Sequence, residues 1–187
     1  MTHIDESRVH NFISDLKSVE KHTLKAVKNQ KESKGVKSDK EAYELLQHIE
    51  KALALQVEKL DKAGARYGNN GSTTDNVKSK LTGFFGTIAG MIDQARKDPV
   101  SKLMRDNYTA IAMITSGHTM LKTTALIVED EELQHLAGSS LKELAQITTE
   151  ISRYLPLAVA RELVDDQEEA NRIGKIAMDK TQKAWNQ

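Results

Sequence analysis

The sequence predicts an all-α protein, a four-helix bundle with one crossover helix and a helical C-terminal tail. Three observations carry that expectation. Apolar residues recur at three- and four-residue spacing over long stretches, the period of helices that bury one face. Only two prolines, Pro99 and Pro156, occur in 187 residues, and aromatic residues make up 4%, which favours long helices over sheet. One connection is long and dense in turn formers, while the others are short. The expected bundle spans residues 1–165, with a helical extension at 166–187.

The first helix is expected from about Asp5 to Lys31 on the stripe Val9, Ile13, Leu16, Glu20, Leu24, Val27. Gly35 lies in its stop. Ser38 reads as the N-cap of the second helix, with Glu41 three residues on completing a capping box. That helix carries Ala42, Leu45, Leu46, Ile49, Leu53, Val57 and Leu60 and fades at Gly64; so short a connection makes the two helices antiparallel neighbours. Residues 67–76 are the clearest loop. Val77, Leu81, Phe84, Phe85, Ile88, Met91, Ile92 and Ala95 then read as an amphipathic helix over 77–97, either crossing the bundle or, given the Phe84-Phe85 pair, presented to a partner or a membrane surface. Gly83, Gly86 and Gly90 interrupt it, each at up to about 1 kcal/mol of helix propensity.

Asp98-Pro99 reads as an N-cap followed by proline at the first helical position, opening a third bundle helix that runs to about Val128. Glu129-Asp130-Glu131-Glu132 is a turn with an acidic helix start, suited to the positive end of the helix dipole. The fourth helix carries Leu133, Ala137, Ser140, Leu144, Ile147, Ile151 and Leu155, and Pro156 is expected to end it or to start a short successor through Val164. The tail has a weaker stripe, Ala170, Ile173, Ala177 and Ala184, suited to docking on the bundle or on a second subunit.

Composition narrows the function. The 27 basic and 27 acidic residues cancel, which gives no electrostatic case for nucleic acid or an anionic membrane. No run approaches the roughly 18 apolar residues of a membrane span. The start lacks the basic and apolar regions of a signal peptide, so a cytoplasmic location is the expectation. Without cysteine there are no disulfides and no thiolate ligands; any metal would take oxygen and nitrogen donors. No phosphate-cradling loop and no Gly-x-Ser-x-Gly elbow are present.

Two ionisable residues fall where the core should be apolar. Glu20 lies in the first stripe, and His118 lies in the third-helix stripe Ile111, Ile114, His118, Leu121, Ala125, Val128. A buried carboxylate or imidazole is costly unless it is paired, hydrogen-bonded or bound to metal. Ser18-Val19-Glu20-Lys21 resembles the Ser-Ala-Glu-Lys of the first helix in bacterial ferritin-like proteins of the YciE/YciF type, a stress-associated group. The stretch from Arg105-Asp106 to His118 can be laid on that family's third helix without a gap, and Leu155-Pro156 resembles the end of its fourth. The resemblance spans residues 8 to 156 in layout. It implies a ferritin-like bundle with a dimetal centre of inward Glu and His ligands.

The departures from that pattern are as informative. The family's Glu-His-Tyr-Glu reads Gly117-His118-Thr119-Met120 here. In the second helix an inward Glu-x-x-His would need a histidine where Glu50 is followed by Leu53, and no histidine occurs between His48 and His118. In the fourth helix the acidic run survives only as Glu143. A carboxylate-bridged pair of ions needs about four Glu and two His. The remnants are Glu20, His118, Glu50 and Glu143, too few to hold two ions.

Each remnant also has a plainer reading. Glu50 and Glu143 suit solvated flanks, His22 and His48 fall off the stripes and are expected to be exposed, and Glu20 and His118 can satisfy one another without metal, with Glu50 and Glu143 the nearest acidic groups. The sequence thus points to a non-enzymatic ferritin-like protein with no cofactor and a lost diiron site, acting through self-association as a homodimer or higher homo-oligomer, or through a protein partner. Two alternatives stay open: a single-metal protein using the residual Glu and His, or a carrier for a small apolar ligand in the space vacated by replacement of ligands with Leu53, Gly117 and Met120.

Overall fold

The computed structural model describes residues 5–68 and 99–185, and every regular element among them is helical. The elements are α1 (Glu6–Lys31), α2 (Lys34–Ser38), α3 (Lys40–Tyr67), α4 (Val100–Ile127), α5 (Glu131–Leu163) and α6 (Gln167–Trp185). The loop and crossover helix expected from the sequence fall, beyond Gly68, outside the described residues, as does Asp98.

Asp5 opens α1 by accepting the Ser7 N–H, and the expected stripe is buried at Val9, Ile13, Leu16, Glu20 and Val27. The second-helix start differs from the sequence reading. Ser33 caps the short α2, Ser38 is its last residue, and Asp39 caps α3 by accepting the Ala42 N–H at 3.0 Å. Asp39 wins because its second oxygen has further work: it accepts from Tyr154 Oη at 2.8 Å and Arg161 Nη1 at 3.0 Å on α5.

The same device is repeated at the opposite end of the α3–α5 seam. Asp130 caps α5 through the Leu133 N–H at 2.9 Å and accepts from Tyr67 Oη at 2.8 Å and Arg66 Nη2 at 3.0 Å on α3. Each helix therefore starts on an aspartate held by a tyrosine and an arginine of its antiparallel neighbour.

Polar pairs fix the other directions. Lys17–Asp61 at 2.8 Å and Lys31–Glu50 at 2.6 Å set α1 antiparallel to α3. Buried Asn107 donates to Gln30 Oε1 at 2.6 Å, and its neighbour pairing further along sets α1 antiparallel to α4. The tight turn from α4 to α5 passes through Glu129, whose φ of 55° is left-handed and costs roughly 1–2 kcal/mol for a residue with a Cβ. It follows that α3 and α4 lie on a diagonal and run the same way. The chain leaves α3 at one end of the bundle and re-enters at α4 at the other, about 40 Å away.

The space between the helices is filled by apolar side chains with no exposure, among them Leu46, Leu53, Leu60, Ile111, Ile114, Leu144 and Ile151, each contributing roughly 1.5–3 kcal/mol. Outward hydroxyls on α4 are bonded to their own helix: Thr109, Thr115, Ser116, Thr119, Thr123 and Thr124 each donate to the carbonyl four residues back. No helix among the described residues is long and apolar enough to cross a membrane.

At the start of α4, Pro99 stands in the N-cap position without a capping side chain. A carboxylate from another helix replaces it: Glu162 accepts the Ser101 N–H at 2.8 Å. Contrary to the sequence reading, α5 continues through Pro156 to Leu163. Proline removes one helical hydrogen bond, but burial of Tyr154, Ala158 and Ala160 on either side holds the helix to its course. The tail docks as α6 along α5, with Ala170 and Gly174 buried. A Cβ at Gly174 would lie 2.9 Å from Leu157 Cα, so α6 can approach this closely only on glycine.

The cap assignment separates two substitutions. Asp39→Ala should lower stability by about 0.5–2 kcal/mol for the cap alone, and by more once the Tyr154 hydroxyl is stranded, whereas Ser38→Ala should be close to neutral. Urea denaturation followed by circular dichroism reads both; a larger loss from Ser38→Ala would return the cap to Ser38.

Candidate functional site

Glu20 on α1 and His118 on α4 meet in the middle of the bundle. His118 Nε2 lies 2.7 Å from Glu20 Oε1, and both side chains have no exposure. Two local features bring the helices this close. Both residues occupy the buried stripe of their helix, and Gly117 offers no side chain beside Leu16: a Cβ there would come within 2.6 Å of Leu16 Cδ1.

A hydrogen bond at this distance needs one proton between the two atoms. Burial raises the Glu20 pKa, opposed by its hydrogen bond to His118 and by the charge of the ring. Among the described residues, Glu20 Oε2 and His118 Nδ1 have no hydrogen-bond partner, and neither has Gln56 Oε1 on α3. The register set by Lys17–Asp61 places Gln56 within about one helical turn of Glu20 along the bundle. The Lys122–Gln134 contact likewise brings buried Ser140 on α5 near the level of His118. Each of the four long helices thus contributes at least one buried polar residue to this level, α1 adding Thr23, which donates to the Val19 carbonyl.

The other two remnants do not join them. Glu50 holds Lys31 at 2.6 Å, which is eleven residues, or roughly 16 Å, along α1 from Glu20. Glu143 is bonded to His48 at 2.7 Å. Among the described residues no group of three or more His, Cys, Asp or Glu is arranged to hold a metal ion. The described residues therefore do not fit the dimetal centre that the family resemblance implies, since Glu20 and His118 are the only two candidate ligands brought together and Glu50 and Glu143 are held elsewhere. The three replaced positions also fail to enclose a common space: Leu53 is packed in the core, Leu16 fills the side of Gly117, and Met120 faces outward, 52% exposed.

His48 is the residue that the sequence reading placed wrongly. It is only partly exposed and lies between two carboxylates of α5, Nε2 at 2.7 Å from Glu143 and Nδ1 at 2.7 Å from Glu150. With an acceptor at each nitrogen, the ring makes both bonds only as the imidazolium. Partial burial pulls its pKa down, and the two carboxylates more than reverse this, leaving it raised. The sequence did hold a signal: Glu143 and Glu150 are seven residues apart, on one face of α5. Which helix that face meets was not readable from spacing. His22, by contrast, is exposed as expected.

Compared with known proteins, the chain matches no family model, no curated protein and no solved structure. The class that fold and site define is an all-α helical bundle with a buried carboxylate–imidazole pair.

Two outcomes follow from this geometry. Glu20→Gln should be mild, because the amide oxygen still accepts from the ring, whereas Glu20→Leu leaves the imidazole unpaired at about 1–3 kcal/mol; chemical denaturation of the two variants compares them. For His48, the raised folded-state pKa means that the clamp contributes fully below the unfolded value of 6.5 and is lost as pH rises through the folded value. Denaturation midpoints across that window should fall in the unmodified protein, and the fall should be smaller in His48→Ala.

Proposed function

We propose that this protein is a non-enzymatic bundle on a ferritin-like scaffold, with its diiron site lost and stress-associated duties, that acts by self-association. The parallel diagonal pair α3 and α4 supports the scaffold, because ferritin-like bundles have one long crossover between their second and third long helices. The Ser18-Val19-Glu20-Lys21 and Arg105-to-His118 stretches support the YciE/YciF resemblance. The metal chemistry of such a scaffold would need ligands that this bundle has not gathered.

One observation carries the association. A groove of about 600 Å³ runs between α4, α5 and α6, lined mostly by apolar groups including Leu155, Pro156, Val159 and Ile173. Leu163 and Trp185 border it at 79% and 60% exposure. Interfaces between like subunits are apolar and poor in charge; the one charged residue lining this groove, Arg105, is bonded to Asp106. The same volume and lining favour a second reading, a small apolar ligand held by one chain, since such pockets typically span roughly 300–1,000 Å³.

Sedimentation equilibrium separates the two. The unmodified protein should show a mass of two or more chains, and Leu163→Glu, which adds a charge to an exposed site without touching the core, should shift it towards one chain with the helical spectrum unchanged. A single-chain mass at high concentration would remove the self-association reading and leave the ligand reading to be tried with an apolar fluorescent probe.

A further inference from the structure

On its other side α6 borders a second groove of about 710 Å³, shared with α3 and α5. Its character is different. Leu45, Tyr154, Leu157 and Met178 give it an apolar floor, while charged side chains form the rim. The acidic groups of that rim are each already paired with a basic side chain, two of which they share with further carboxylates. Glu41 pairs with Arg161, Glu150 with His48, and Glu44 with Lys40. Arg153 on α5 and Lys175 on α6 have no ion pair among the described residues.

The two cations are neighbours. Contacts between Gly174 and Leu157, and between Asn171 and Arg161, set α6 antiparallel to α5. That register puts Arg153 about one helical turn from Lys175 along the groove. An apolar floor beside two cations that make no ion pair among the described residues is the complement of a molecule with an alkyl chain and one anionic head. Guanidinium and ammonium groups make their strongest hydrogen bonds to carboxylates, and exposed Arg and Lys can reach a head group while their stems cover the chain.

We propose that this groove binds a single-chain fatty carboxylate, with its alkyl chain on Leu45, Tyr154, Leu157 and Met178 and its carboxylate between Arg153 and Lys175. The site lies across α6 from the association groove and does not depend on it.

Decanoate, a soluble fatty carboxylate, can be titrated into the full chain by calorimetry and by heteronuclear NMR. Saturable binding of one decanoate per chain is expected, with shifts at Met178 and Tyr154. The double variant Arg153→Gln, Lys175→Gln changes exposed residues and should keep its helical spectrum while losing about tenfold or more in affinity. Decanol, with the same chain and no charge, should bind weaker by a similar factor, and Leu163→Gln in the other groove should leave decanoate affinity unchanged. The proposal is overturned by an absence of saturable binding at millimolar decanoate, by equal affinity in the double variant, or by loss of binding in Leu163→Gln instead. Co-sedimentation with phosphatidylglycerol vesicles that is abolished in the double variant would also overturn it, by assigning the two cations to a membrane surface.

Discussion

The buried bond between Glu20 and His118 constrains everything around it. Neither group can leave the core without turning its helix, and neither tolerates an apolar neighbour in the other's place without an orphaned polar atom. Gln30 and Asn107 impose the same condition further along. The two pairs are ten residues apart on α1 and eleven on α4, nearly equal rises on two antiparallel helices. Sliding one helix past the other by a turn breaks both at once. Apolar packing alone would forgive such a slip far more readily, because one leucine replaces another in a stripe of leucines and isoleucines.

These pairs also make the two halves of the chain unlike one another. The α1–α3 hairpin carries Glu20 and Gln30, and the α4–α5 hairpin carries His118 and Asn107. Two copies of the first hairpin brought together would set carboxylate against carboxylate, which like-charge repulsion and desolvation both oppose. The buried polar groups thus favour the pairing of unlike halves.

The four long helices and α6 were legible in the sequence because their stripes run for many turns, and Glu20 and His118 stood out because a charged residue in an apolar stripe has few ways to be satisfied. Details that depend on a neighbouring helix were not legible. Ser38 satisfied a local capping pattern, yet Asp39 caps because Tyr154 and Arg161 approach from α5. Pro156 suggests a helix end or the start of a short successor, while packing on both sides carries α5 through it. His48 looked solvent-facing from its own helix, since its partners lie about a hundred residues away in sequence. The same limit applied to Glu50 and Glu143, whose lysine and histidine partners could not be assigned until the helices were in register.

The reciprocal aspartates at the two ends of the α3–α5 seam tie local order to global order. In most helices the first turn frays independently, at little cost to the rest of the fold. Here the residue that starts each helix is also the residue that its neighbour grips, so unwinding the first turn of α3 releases Tyr154 and Arg161, and unwinding that of α5 releases Tyr67 and Arg66. Fraying becomes undocking. The amide protons behind Asp39 and Asp130 should then exchange with solvent only as the seam itself opens, making the helix starts, usually the loosest points of a bundle, reporters of its cooperativity.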